Sequence, residues 1–115
     1  MKASISDALK RLPGAPVGAY PEGVPFAAVM AGGSMRVEVF APGSNTDGRD
    51  RPQPHSQDEL YFVHSGQGEI IINGQLFEAG PGDAFFVAAG VAHRFENFSK
   101  DFVTWVVFYG PQGGE

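Results

Sequence analysis

A chain of 115 residues with 43% hydrophobic and 18% charged side chains can bury one core and is too short for two domains. A net charge of −5 leaves no basic field to offset phosphate repulsion, which excludes nucleic acid and anionic membrane surfaces as expected partners. Without cysteine there is no disulfide, thiolate nucleophile or thiolate-bound metal, and 16 Gly with 9 Pro suit a turn-rich β protein better than a helical bundle.

In chain order, Ser4 to Leu12 reads as one short helix. Ser4 or Ser6 can accept from a free amide of the first turn, Asp7 suits the positive end, and Lys10 and Arg11 suit the other. Pro13-Gly14 stops it. Ile5, Leu9 and Leu12 fall on one apolar stripe, which must lie on something because so short a helix does not stand alone. Neither this opening nor any later segment has the apolar run of a signal peptide or a membrane span, so the cytoplasm is the expected location.

Residues 16–25 are Gly- and Pro-rich and read as loop. Phe26–Met30 and Met35–Phe40 form a hairpin about Ala31–Ser34, followed by a polar loop over 42–54. Leu60–Ser65 is the next strand, Gly66–Gly68 bends it, and Glu69–Ile72 continues. Asn73-Gly74 is the strongest hairpin signal, since a tight turn of this type wants positive φ at both positions. Gln75–Glu78, Ala84–Val87, His93–Glu96 and Phe102–Tyr109 complete the strands. About eight or nine short strands with a single helix predict an all-β sandwich or barrel. One domain fills residues 1–115: helix and loop over 1–14, the barrel over 26–110, a tail over 111–115.

The last strand is apolar on both faces: Val103, Trp105, Val107 and Tyr109 on one, Phe102, Val106 and Phe108 on the other. One core covers one face. The N-terminal helix or a second subunit must cover the other, and a homodimer formed by sheet packing is the expectation.

The three histidines are His55, His64 and His93. Gln53, His55 and Glu59 share parity, so an extended backbone projects them to one face; His64 has the opposite parity and should point outward. His93 opens a separate strand. Two imidazoles and a carboxylate converging from two strands suit a divalent first-row ion. Against this, a strand histidine is often a hydrogen-bonded structural residue, and Glu59 can be a solvated strand-start carboxylate. Asp58 reads as a loop cap and Asn97 as a turn residue. Phe85, Val87, Phe95, Trp105 and Tyr109 read as core, and Arg36 and Arg94 as solvated strand-face residues that could reach an anionic ligand.

The segment Gln53-x-His55-x3-Glu59-x6-Gly66 resembles the first motif of the cupin superfamily, G-x5-H-x-H-x3,4-E-x6-G. Gly82-Asp83-x4-Ala88-x-Gly90-x2-His93-x3-Asn97 resembles the second, G-x5-P-x-G-x2-H-x3-N. The resemblance implies a small jelly-roll-type β-barrel and a single divalent ion (Zn, Fe, Mn or Ni) on His55, Glu59 and His93, with Gln53 as a further ligand. Three departures stand out. Gln53 replaces the first motif histidine, as in cupin-type phosphomannose isomerases, and its amide oxygen is a poorer ligand than imidazole for zinc, copper or nickel. Gly48 lies one residue too close to serve as the opening glycine, and Ala88 replaces the usual proline, removing a φ lock but no chemistry.

Two functions follow from the resemblance. One is a metal-dependent enzyme acting on a small molecule in the barrel, oxygenase-like or isomerase-like. Oxygenase-type chemistry is favoured because the sequence offers no spare inward histidine and no evident barrel lysine to act as an acid–base partner. The other is a non-catalytic binding or sensing module with or without metal.

Overall fold

A computed structural model describes residues 1–44, 50 and 55–114. Helix α1 (Ile5–Leu9) precedes eight strands: β1 (Phe26–Gly32), β2 (Met35–Phe40), β3 (Asp58–Ser65), β4 (Gly68–Ile72), β5 (Gln75–Ala79), β6 (Ala84–Val87), β7 (His93–Glu96) and β8 (Val103–Tyr109). A short 3₁₀ turn, Pro42–Ser44, follows β2. Among the described residues no helix is long and apolar enough to cross a membrane.

The strands form two antiparallel sheets, one ordered β1-β2-β8-β3-β6 and the other β5-β4-β7. Among the described residues no closed hydrogen-bonded barrel forms; the arrangement is a two-sheet jelly roll, in which the inner faces of both sheets share one core. That core joins Phe40, Tyr61, Val63, Val87, Val106 and Phe108 of the larger sheet to Ile70, Ala79 and Phe95 of the smaller one, with Phe102 beside them. Asn73 and Gly74 have φ of 49° and 81°, the pair of positive values that the β4–β5 turn requires. Gly66, at φ 79°, ends the bend after β3 where a Cβ would lie 2.5 Å from the Cα of Phe102, so only glycine fits there.

A second apolar cluster lies on the outer face of the larger sheet, where Ala8 packs with Ala27, Val39, Ala41 and Val103, flanked by Ile5, Leu12 and Trp105. The helix is shorter than the stretch from Ser4 to Leu12, and its stripe differs from the expected one. Ala8 is the buried contact and Leu9 is 37% exposed, because the small alanine lets the helix lie close to the sheet. Ser4 is the cap, accepting from the Asp7 amide at 3.3 Å. Arg11, expected to favour the helix end, instead donates to the Ala28 carbonyl at 2.7 Å and ties the helix to β1. Thus α1 covers the Val103–Trp105 end of β8. Tyr109 at the other end is 52% exposed, which corrects its reading as core.

Candidate functional site

Strand β3 alternates inward and outward, with Glu59, Tyr61 and Val63 buried and Phe62 and His64 exposed. The period of two thus sends Glu59 into the molecule and His64 out of it. Asp58, at the strand start, accepts from the Ala89 amide at 2.9 Å, and the His55 carbonyl accepts from the Gly90 amide at 2.8 Å. These two bonds tie the segment carrying His55 to the loop that leads into β7 and His93. Gly90 adopts φ 77° to present its amide.

Glu59 is 2% exposed. His55 Nε2 stands 3.7 Å from its Oε1, and His93 Nε2 stands 3.5 Å from its Oε2. The Tyr61 hydroxyl donates to the same Oε2 at 2.8 Å and lies 3.1 Å from His93 Nε2. On the far side of that ring, His93 Nδ1 is 2.9 Å from the Val91 carbonyl, which can only accept, so Nδ1 carries a proton and Nε2 faces Glu59. Burial pulls the His93 pKa down, but hydrogen bonding to Glu59 and to Val91, with the charges of Glu59 and Asp50, outweighs it and raises the value above 6.5. Burial first, then the Glu59 charge, pushes the Tyr61 hydroxyl well above 10.0, so it acts as a proton donor and not as a phenolate.

These groups open onto a cavity of about 320 Å³. Its aromatic wall includes Tyr20, Phe26, Phe40 and Phe108, and its polar lining adds Arg36, Glu38 and Asp50 to His55, Tyr61 and His93. Burial raises the Glu38 carboxyl above its usual range, partly offset by Arg36. Burial likewise raises Asp50 to about 6, against the Phe95 amide that donates to it at 2.7 Å. Arg36 therefore lines the cavity while its side chain stays 45% exposed. Arg94 does lie on the outside, 2.5 Å from Glu96.

The structure thus brings His55, Glu59 and His93 together at one cavity wall. Gln53 lies outside the described residues. Sequence reasoning missed Glu38, Tyr61 and Asp50. Parity was an available signal for two of them, since Tyr61 follows Glu59 by two and Glu38 shares its face with Arg36 and Phe40. Asp50 sits in a polar loop, where no periodicity marks it. All three are titratable groups of types that the sequence reading, which weighed only a further histidine or lysine, did not consider.

The donors suit a divalent ion in kind: two imidazoles and one carboxylate. In pairs their separations of 3.5 and 3.7 Å are near the ~3.0–3.4 Å between neighbouring ligands around an ion with bonds of ~2.1 Å. As they stand, no three His, Asp or Glu side chains among the described residues are arranged to hold a metal ion. Of the three, His55 has the most exposed side chain, at 38%.

The profile of the family described as Cupin domain matches residues 36–109. An uncharacterized protein of Streptomyces coelicolor is 38% identical over 79 residues, covering 69% of this chain and 73% of that protein. Among solved structures, one of unknown function from Rhizobium leguminosarum bv. viciae superposes with TM-score 0.63 at 20% identity, covering 96% of this chain and 97% of that one. The DMSP lyase DddQ of Ruegeria pomeroyi superposes with TM-score 0.57 at 20% identity over 74% of this chain, which spans only 46% of that enzyme. At these identities the likeness to the solved structures is one of fold.

Proposed function

Since this chain belongs to the Cupin domain family, we propose that it takes a small molecule into the cavity of its jelly roll, beside a divalent ion held by His55, Glu59 and His93. Gln53 is the fourth protein ligand of this reading. The observation that carries it is the buried Glu59 carboxylate with an imidazole Nε2 facing each oxygen. A carboxylate out of water needs compensation, and two imidazoles with a cation supply it.

When bound, the ion would supply Lewis-acid or one-electron chemistry beside the cavity. The protein's own groups have distinct parts. The Val91 carbonyl fixes the His93 ring so that Nε2 faces inward. The Tyr61 hydroxyl keeps its proton and can hand a hydrogen bond from Glu59 to a ligand oxygen. Phe40, Phe108 and Val106 exclude water, and the Asp50 carboxyl, at about 6, can exchange a proton near neutral pH. With these groups present, acid–base chemistry such as isomerisation or elimination stands beside the oxygenase-type reaction.

One observation favours a second reading, a binding module without metal. The Tyr61 hydroxyl donates to Glu59 Oε2 and lies beside His93 Nε2, and His93 Nδ1 is held by the Val91 carbonyl, so part of the carboxylate's compensation comes from the protein without an ion. Elemental analysis of protein purified without chelator, then dialysed against Zn, Mn, Ni or Fe(II), separates the two. One equivalent that disappears in His93→Ala and persists in His64→Ala supports the metal reading; no uptake of any of the four overturns it.

We also assign the uncovered outer face of the larger sheet to a twofold partner. Cross-strand pairing lines up Val37, Val107, Leu60 and Phe86 in one row and Trp105 with Phe62 in the next. Phe86 and Phe62 are 61% and 43% exposed, a contiguous patch that helix α1 does not reach.

A further inference from the structure

Arg36 extends from β2 over the cavity wall. Its Cζ lies 4.3 Å from the centroid of the Phe108 ring, and its Nε lies 3.1 Å from Glu38 Oε2. The Glu38 side chain is only 16% exposed, whereas that of Arg36 is 45% exposed. A guanidinium is thus seated on an aromatic face and against a largely buried carboxylate, the two contacts by which proteins recognise organic cations. The Phe108 ring also packs on His55 at 4.7 Å, so this seat is one ring away from the histidine–carboxylate triad.

The charge lining the cavity decides what else can sit there. Among the described residues, Glu38 and Asp50 line it and Glu59 lies behind it, against one permanent cation, Arg36. In the metal-free cavity an anionic ligand would have to separate Arg36 from Glu38 and then face Glu38 and Asp50 at close range. A cationic one has only to exchange places with a half-exposed, flexible side chain, and Glu38 keeps its countercharge throughout.

We propose that the Glu38–Phe108 wall is a cation subsite, occupied in the free protein by the chain's own Arg36 and taken over by the ammonium or guanidinium head of the small-molecule ligand. The subsite deepens the reading of the cavity as a small-molecule site, and Arg36 acts in it as a tethered competitor. Removing the arginine should therefore uncover the seat.

The test titrates chelator-treated protein with N-ethylguanidinium, the neutral N-ethylurea and propionate, followed by amide NMR shifts. Arg36→Ala is expected to bind N-ethylguanidinium at least tenfold more tightly than wild type does and at least tenfold more tightly than it binds N-ethylurea. Adding Glu38→Gln should remove at least tenfold of that affinity. Arg36→Gln, which keeps most of the aliphatic stem, should reproduce the gain if the alanine variant does not fold. Equal binding of the urea, indifference to Glu38→Gln, or wild-type binding of propionate that is lost without Arg36 would each overturn the proposal, the last making Arg36 an anion anchor. Because metal is absent from these titrations, the two readings fail separately. Metal uptake without guanidinium binding sinks only the subsite, and guanidinium binding in a protein that takes no metal sinks only the metal.

Discussion

Replacing Tyr61 by Phe removes one oxygen from the centre of the site and leaves the ring in its packing against Phe95, at 5.1 Å. The lost hydroxyl donates to Glu59 Oε2 at 2.8 Å and touches His93 Nε2 at 3.1 Å. Glu59 is 2% exposed, so solvent cannot replace the donor, and a hydrogen bond to a charged acceptor of this kind contributes about 1.5–3 kcal/mol. For a domain of this length that corresponds to a melting shift of roughly 5–10 °C. Urea unfolding of metal-free protein, read through Trp105, measures the cost directly. In a Glu59→Gln background the same change should cost only about 0.5–1.5 kcal/mol, because the acceptor is then neutral. Loading with a divalent ion should shrink it too, since a cation on the carboxylate takes over the compensation. A Tyr61→Phe cost below about 0.5 kcal/mol in metal-free protein would refute the reasoning, as it would mean that water reaches Glu59.

Three further outcomes are expected. Gln53→His restores an imidazole at the first motif position and should tighten metal binding in a competition titration; weaker binding would remove Gln53 from the ligand set. The folded-state pKa of Asp50 is raised to about 6 from 3.8, so its contribution is fully present below about pH 4 and is lost as pH rises through 6; metal-free protein should lose up to about 3 kcal/mol over that window, and Asp50→Asn should flatten this limb of the urea-stability profile. Phe86→Lys on the outer face should convert a dimer to a monomer in light scattering at micromolar concentration without altering metal content, and a monomeric wild type would reject the assigned interface.

What the sequence determined by itself is whatever depends on local periodicity and turn chemistry. Strands β2, β6 and β7 begin and end where alternation and flanking turns place them, and Asn73-Gly74 makes its turn because both residues tolerate positive φ. The parity of β3 sends Glu59 inward and His64 outward, since successive side chains on a strand must alternate. The motif spacings carry the family resemblance for the same reason: Gly66 is held by its close approach to Phe102, and Gly90 by the amide it offers to His55.

Tertiary structure alone decided the rest. A helix stripe read at i, i+4 and i+7 picks Leu9, yet the sheet selects Ala8, because the closeness of packing belongs to the surface the helix lands on. Tyr109 is as apolar in pattern as Val103, but only the Val103 end lies beneath α1. The cavity itself assembles side chains that no short-range pattern joins: Glu38 from β2, Asp50 from a loop, Tyr61 from β3 and His93 from β7. Their shared electrostatics, with carboxyls raised by burial and a histidine raised by its carboxylate, arise from desolvation and from charges remote in sequence. Burial is a property of the whole fold, and so the chemistry of this site could be read only once the two sheets were closed over it.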